Sequence, residues 1–319
     1  MTTTPLYPEQ LSYASGHFDV GDGHKLHYAR YGNPSGEPVV YLHGGPGGSC
    51  SYEYRLFHPD YYNVLLFDQR GAGKSLPFAG VAHNNLAALV GDIEKLRRHC
   101  GVEKWHVAGG SFGSALGMFY ALHHPERIRR LLLRGIFFAD SDGARFIIDE
   151  DGSAAVNRNK WFEDYYNHIP AAERASGLTM PYYQRLVSAD KVVAVEAARL
   201  FHLWDMSIAT FQPRHDLLEK INRNPEASLC LSRLFFHYVV HHFTPENKKF
   251  LLEGMAKSSL PLDILHGRDD QITPVANAVL LHNTCKGSRL TIVDNCGHGL
   301  IEPPLQQAFR AVTDGWMKT

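Results

Sequence analysis

The chain has 319 residues, enough to bury a large core and more than one compact domain usually holds, so a main domain with one insertion is the natural organisation. Its 32 Lys and Arg against 33 Asp and Glu leave a net charge of -1, which argues against nucleic acid or an anionic membrane surface as the main partner. Five cysteines, at 50, 100, 230, 285 and 296, form no C-x-x-C pair and no disulfide framework, as suits a reducing cytoplasm, and no apolar run approaches a membrane span.

The segment Met1 to Glu9 lacks a basic stretch followed by an apolar one, so no secretory signal is expected. Strands are predicted near 17–20, 25–31 and 38–42, and the third runs into His43-Gly44-Gly45-Pro46-Gly47-Gly48. Such a glycine run leaves backbone N–H groups free to face a ligand. No G-x-G-x-x-G opens a helix here, so the run is not a dinucleotide fingerprint. After a strand near 62–67 comes Asp68-Gln69-Arg70-Gly71-Ala72-Gly73-Lys74-Ser75, which ends like a P-loop. Asp68 stands where the first P-loop glycine belongs, and the nucleotide reading is rejected.

A helix is predicted near 84–99 and a strand near 104–109, followed by Gly109-Gly110-Ser111-Phe112-Gly113 and a helix near 112–123. A serine with glycines two residues away on each side, between strand and helix, fits a strained turn that exposes a nucleophile. A serine hydroxyl is a weak nucleophile at neutral pH, so Ser111 also needs a base, an orienting carboxylate and oxyanion donors. In such a turn one donor is the N–H of the following residue, Phe112, and another comes from the earlier glycine loop, at Gly44 or Gly45.

A strand near 129–134 follows, and then from about 141 to 255 the strand pattern vanishes. Phe146 to Ile169, Pro181 to Ser188, Lys191 to Phe211, Leu217 to Ile221 and Leu229 to His242 read as aromatic-rich helices. Inserted here, they are placed to roof an active site and shape its pocket. His237 and His241 lie at i and i+4 but lack the glutamate of H-E-x-x-H, and no zinc site is read there.

Alternation resumes with strands near 261–266 and 289–293 and helices near 274–283 and 304–316. The first strand ends in Gly267-Arg268-Asp269-Asp270, the second in Asp294-Asn295-Cys296-Gly297-His298-Gly299. His298, on a glycine-flanked loop, is the candidate base. Asp270 is the candidate acid, with Asp269 beside it and Asp294 as competitors. The order Ser111, Asp270, His298 matches Ser…Asp…His and excludes the chymotrypsin and subtilisin orders. The expected fold is an α/β-hydrolase fold, a mostly parallel sheet with helices on both faces. Residues 1–140 and 256–319 would form its catalytic domain and 141–255 a helical cap.

The chain resembles prolyl aminopeptidases (proline iminopeptidases) over nearly its whole length. The resemblance rests on Asp19-Val20-Gly21-Asp22-Gly23-His24, Gly32-Asn33-Pro34, His43 to Gly48, Leu66-Phe67-Asp68-Gln69-Arg70-Gly71, Gly109 to Ser114, His124-Pro125-Glu126-Arg127 and Arg134-Gly135-Ile136-Phe137. It implies Asp270 as the acid, matching the last residue of G-R-Y-D, and His298 as the base, matching G-H-S. It further implies removal of an N-terminal proline through an acyl-enzyme, with cap carboxylates holding the proline amine and an apolar pocket taking the ring. One carboxylate position matches Trp204-Asp205. The other falls on Phe235, and Phe112 stands where the family usually has Trp. Losing one charged partner would cost about 1.5–3 kcal/mol of binding. An esterase or amidase of the same fold is therefore the alternative, which Phe235 favours. Neither reading needs a metal or organic cofactor. Either takes a small molecule or short peptide as substrate, and the oligomeric state is not indicated.

Overall fold

The computed structural model describes residues 5–318. It opens with a hairpin of β1 (Ala14–Gly21) and β2 (His24–Gly32). Asp22 and Gly23 form the two-residue turn with φ of 57° and 79°, the pairing of positive angles that a type I′ turn demands. Next come β3 (Glu37–Leu42), β4 (Tyr62–Phe67), α1 (Leu86–His99), β5 (Trp105–Gly110), α2 (Phe112–His123) and β6 (Ile128–Arg134). The eight strands, completed below by β7 and β8, form one sheet in the order 1-2-4-3-5-6-7-8. The two pairings that involve β2 are antiparallel and the rest are parallel.

The central strands read as near-continuous apolar runs because both sheet faces are covered. Alternate residues serve separate cores. Val40, Leu42, Val107 and Leu133 pack on one side with α1 and α2, while Val39, Tyr41, Ala108 and Leu132 pack on the other. The edge strand β1, open to solvent, alternates partly buried with exposed positions instead.

Between β6 and β7 the chain inserts α3 (Ser141–Ile148), α4 (Ala154–Asn157), α5 (Lys160–Asn167), α6 (Thr179–Leu186), α7 (Lys191–Ile208), α8 (His215–Arg223), α9 (Ser228–His241) and α10 (Pro245–Met255). The helix expected over 146–169 is thus three short ones. Asn159 explains the last break, since its side chain accepts from the N–H groups of Trp161 and Phe162 at 2.9 and 3.2 Å and starts a new helix. α10 was not anticipated. It opens with Pro245 at its first position and lies back on α2, with Phe250 stacked on Phe119 at 5.8 Å. The chain ends with β7 (Leu262–Gly267), α11 (Val275–Thr284), β8 (Arg289–Val293) and α12 (Pro303–Trp316), and α12 covers the second core through Leu305, Phe309 and Trp316. No helix among the described residues is long and apolar enough to cross a membrane.

Candidate active site

Ser111 joins the fully buried β5 to α2 with φ 58° and ψ -126°, a conformation that non-glycine residues rarely adopt. The fold holds it there. Its N–H donates to the Arg134 carbonyl at 3.0 Å, and its carbonyl accepts from the Ser114 N–H at 2.8 Å and the Ser114 hydroxyl at 2.7 Å. Glycine is needed on both sides: a Cβ on Gly109 would overlap the Gly113 carbonyl, and one on Gly113 would overlap the Leu42 carbonyl. That absence of side chains lets α2 start against β3. Gly44 lies beside the serine, where an added Cβ would sit 2.9 Å from Ser111 Cβ and 3.5 Å from its Oγ. Phe112 turns its ring into the core against Tyr238 and Phe243, at 5.3 and 5.9 Å.

Asp270 is buried just past β7, and His298 follows β8. The His298 Nδ1–H donates to Asp270 Oδ2 at 2.7 Å, which leaves Nε2 for the cavity. Oδ1 accepts from the N–H groups of Ile272 and Thr273 at 2.9 and 2.8 Å, and the Thr273 hydroxyl donates to Oδ2 at 3.0 Å. Burial alone would raise this carboxyl. The charge and hydrogen bond of His298, with the polar His266 ring close by, outweigh it and hold Asp270 well below the usual carboxylate range. The competitors lie elsewhere: Asp294 pairs with Arg268 at the surface, and Asp269 sits at the loop bend, its N–H donating to the Cys296 carbonyl at 2.9 Å.

Two neighbours escaped the sequence reading. Thr273 is one. The other is His266, fully buried at the end of β7, whose Nδ1 accepts from the Ile136 N–H at 3.2 Å. Its Nε2 therefore carries the proton, which goes to the Thr273 carbonyl at 2.7 Å with Asp270 Oδ2 3.3 Å away. A histidine in an otherwise apolar buried strand, four residues before the acid, was the available signal. Gly135, at φ 53°, makes room for the His298 ring, because a Cβ there would lie 2.9 Å from its Cε1.

Above Ser111 and His298 opens a cavity of about 210 Å³, floored by Gly44 and Gly45 and walled by Ile147, Phe201, Met206, Leu231 and Phe235 from the inserted helices. Asp205 of α7 also lines it. Among the described residues no hydrogen bond or ion pair reaches this carboxylate, and burial, with the nearby charge of Asp270, pushes its pKa up to about 7. Phe235 stacks on Phe201 at 5.1 Å. Trp204 corrects an expectation, for it does not line the cavity. One residue from Asp205 on a helix, it points into the insertion's own core, its Nε1–H bonded to the Ile147 carbonyl at 2.8 Å and its ring edge-on to Phe162.

Residues 37–303 match the family model described as the alpha/beta hydrolase fold. A proline iminopeptidase of Xylella fastidiosa is 38% identical over 314 residues, covering 98% of this chain and 99% of the relative. The chain belongs to the proline iminopeptidase family of α/β-hydrolases. Other family members include proline iminopeptidases of Arabidopsis thaliana, 38% identical over 93% of this chain and 78% of the relative, and of Neisseria gonorrhoeae, 35% identical over 97% and 98%. Solved structures match at the level of the fold. A serine hydrolase of Cycloclasticus zankles has a TM-score of 0.66 at 18% identity, covering 96% of this chain and 98% of its own. An esterase of Exiguobacterium antarcticum has 0.65 at 20%, covering 96% and 100%. Within the family's fold, the cavity wall of this member carries the Asp205 carboxylate, unpartnered among the described residues, and a stacked phenylalanine pair.

Proposed function

We propose that this protein is a serine aminopeptidase that releases N-terminal proline from short peptides. The Ser111 hydroxyl attacks the carbonyl of the first residue while His298 Nε2 takes its proton, with Asp270 orienting the ring and stabilising the imidazolium. Phe112 begins α2, so its N–H has no acceptor within the helix and is free to stabilise the oxyanion together with an N–H of Gly44 or Gly45. His298 returns the proton to the leaving amine, the C–N bond breaks, and the peptide departs. Water then attacks the prolyl ester by the same route and restores Ser111.

The observation that carries this reading is Asp205, a half-buried carboxylate that faces the cavity and has no partner among the described residues. Such a group is costly unless a ligand supplies its counter-charge. A proline ammonium would do so while Phe201, Phe235 and Ile147 enclose the ring. The five cysteines, all free, suit work in a reducing cytoplasm.

A neutral acyl ester or amide is the second reading, which the apolar Phe201–Phe235 wall favours. The test is turnover of proline amide, N-acetylproline amide and a short-chain ester. Preference for free proline amide of tenfold or more over its acetylated form is expected. Equal rates on both, or turnover of the ester alone, would replace the peptidase reading with the esterase one.

A further inference from the structure

Glu302 precedes α12, where a side chain ordinarily accepts from the first N–H groups of its own helix. Pro303 and Pro304 remove the first two of those donors, and its side chain makes no bond to that helix. The carboxylate reaches sideways instead. Its Oε2 accepts from the Gly297 N–H at 2.7 Å and its Oε1 from the Phe211 N–H at 3.0 Å. On the other side of His298, the Gly299 N–H donates to the Ala209 carbonyl at 2.7 Å. The glycines permit this closeness: a Cβ on Gly297 would lie 2.9 Å from the Phe211 nitrogen and 3.0 Å from the Thr210 carbonyl carbon. The residue that carries the imidazole is thus tied, before and after, to the exit of α7, the helix that carries Asp205.

We propose that Glu302 is a positioning residue, whose carboxylate spans the His298 loop and the end of α7 and fixes where the imidazole stands above Ser111. This rests on the reading of His298 as the base. It explains why a carboxylate is used, since one side chain must present two acceptor oxygens to two backbone N–H groups. In Glu302→Gln one oxygen becomes an NH₂ and faces an N–H, so the loop loses one tie and the imidazole wanders. A displacement well under 1 Å is enough to slow proton transfer.

The experiment measures kcat and KM on proline amide and on a neutral short-chain ester, together with the rate at which a fluorophosphonate labels Ser111. In Glu302→Gln, kcat on both substrates and the labelling rate are expected to fall on the order of tenfold, with KM within twofold and Tm nearly unchanged. In Glu302→Asp, which keeps the charge but cannot span both N–H groups, kcat should fall without the charge rescuing it. Wild-type values of kcat and labelling in both variants would overturn the proposal. So would collapse of the fold in both, which would make the residue structural. A wild-type protein that neither labels nor turns over would instead remove the active-site reading itself, and with it the need for a positioned base.

Discussion

Asp270 is surrounded by donors that only an ionised carboxylate can serve: two backbone N–H groups, the Thr273 hydroxyl and the His298 imidazole. An asparagine there would present an NH₂ to one of them and strand a buried donor. Asp270→Asn should therefore lower kcat by about three to four orders of magnitude through the wrong tautomer of His298. Asp269→Asn, which touches no part of this cluster, should stay within about twofold. Kinetics of the two purified variants on one substrate check the pair, and the reverse ranking would move the acid to Asp269. The candidate triad could be picked out from loop chemistry because each member follows a strand end. Its neighbours could not: Thr273 and His266 lie only three and four residues from Asp270, but residue type alone does not show which side chains fold back onto a carboxylate, and the Glu302 contact with the Phe211 N–H spans 91 residues.

At the scale of elements, the start of α2 depends on a backbone approach that no side chain tolerates. A Cβ on Gly113 would sit against the Leu42 and His43 carbonyls, so Gly113→Ala must push α2 away from β3 and drag Ser111 with it. We expect a loss of about 1–3 kcal/mol. The urea midpoint should fall accordingly, and folded protein should lose activity beyond the fraction unfolded. An unchanged midpoint would show that helix and strand can part freely. Strand positions were legible because parallel, doubly covered strands are continuous apolar runs. The inserted helices were legible in type but not in extent. Apolar residues on both sides, Phe146 to Ile148 and Trp161 to Phe162, hide where 146–169 breaks, and the polar segment 149–153 together with the Asn159 cap decides it. Trp204 misled for a different reason, because successive helix residues point about 100° apart and one can face the cavity while the next faces the core.

For the whole molecule, the sheet order brings β5, β6, β7 and β8 side by side, so Ser111, Asp270 and His298 follow strands of one run, with Ser111 and His298 lining a cavity that Asp205 of α7 also lines. That union leaves two carboxylates near one cavity, with Asp270 held ionised and Asp205 raised to about 7. The consequence for stability has a definite sign. Unfolded, Asp205 would titrate near an ordinary ~3.9. Between about 4 and 7 the native state keeps a proton that the unfolded chain releases, so stability falls with rising pH across this window, and the loss is complete above it. Asp205→Asn removes the effect. Its Tm should exceed that of wild type at pH 8 by more than at pH 5, which is the usual signature of a residue kept for function at a cost in stability. Under the proposed function the same titration would govern recognition. Below pH 7 the neutral carboxyl no longer attracts an ammonium, so the ratio of kcat/KM for proline amide to that for a neutral ester should fall as pH drops from 8 to 6. Taking the ratio cancels the protonation of the base, which both substrates share. In Asp205→Asn the ratio should be at least tenfold lower at pH 8 and flat with pH. A wild-type ratio that is itself flat would mean that Asp205 does not meet the amine, whatever its effect on Tm.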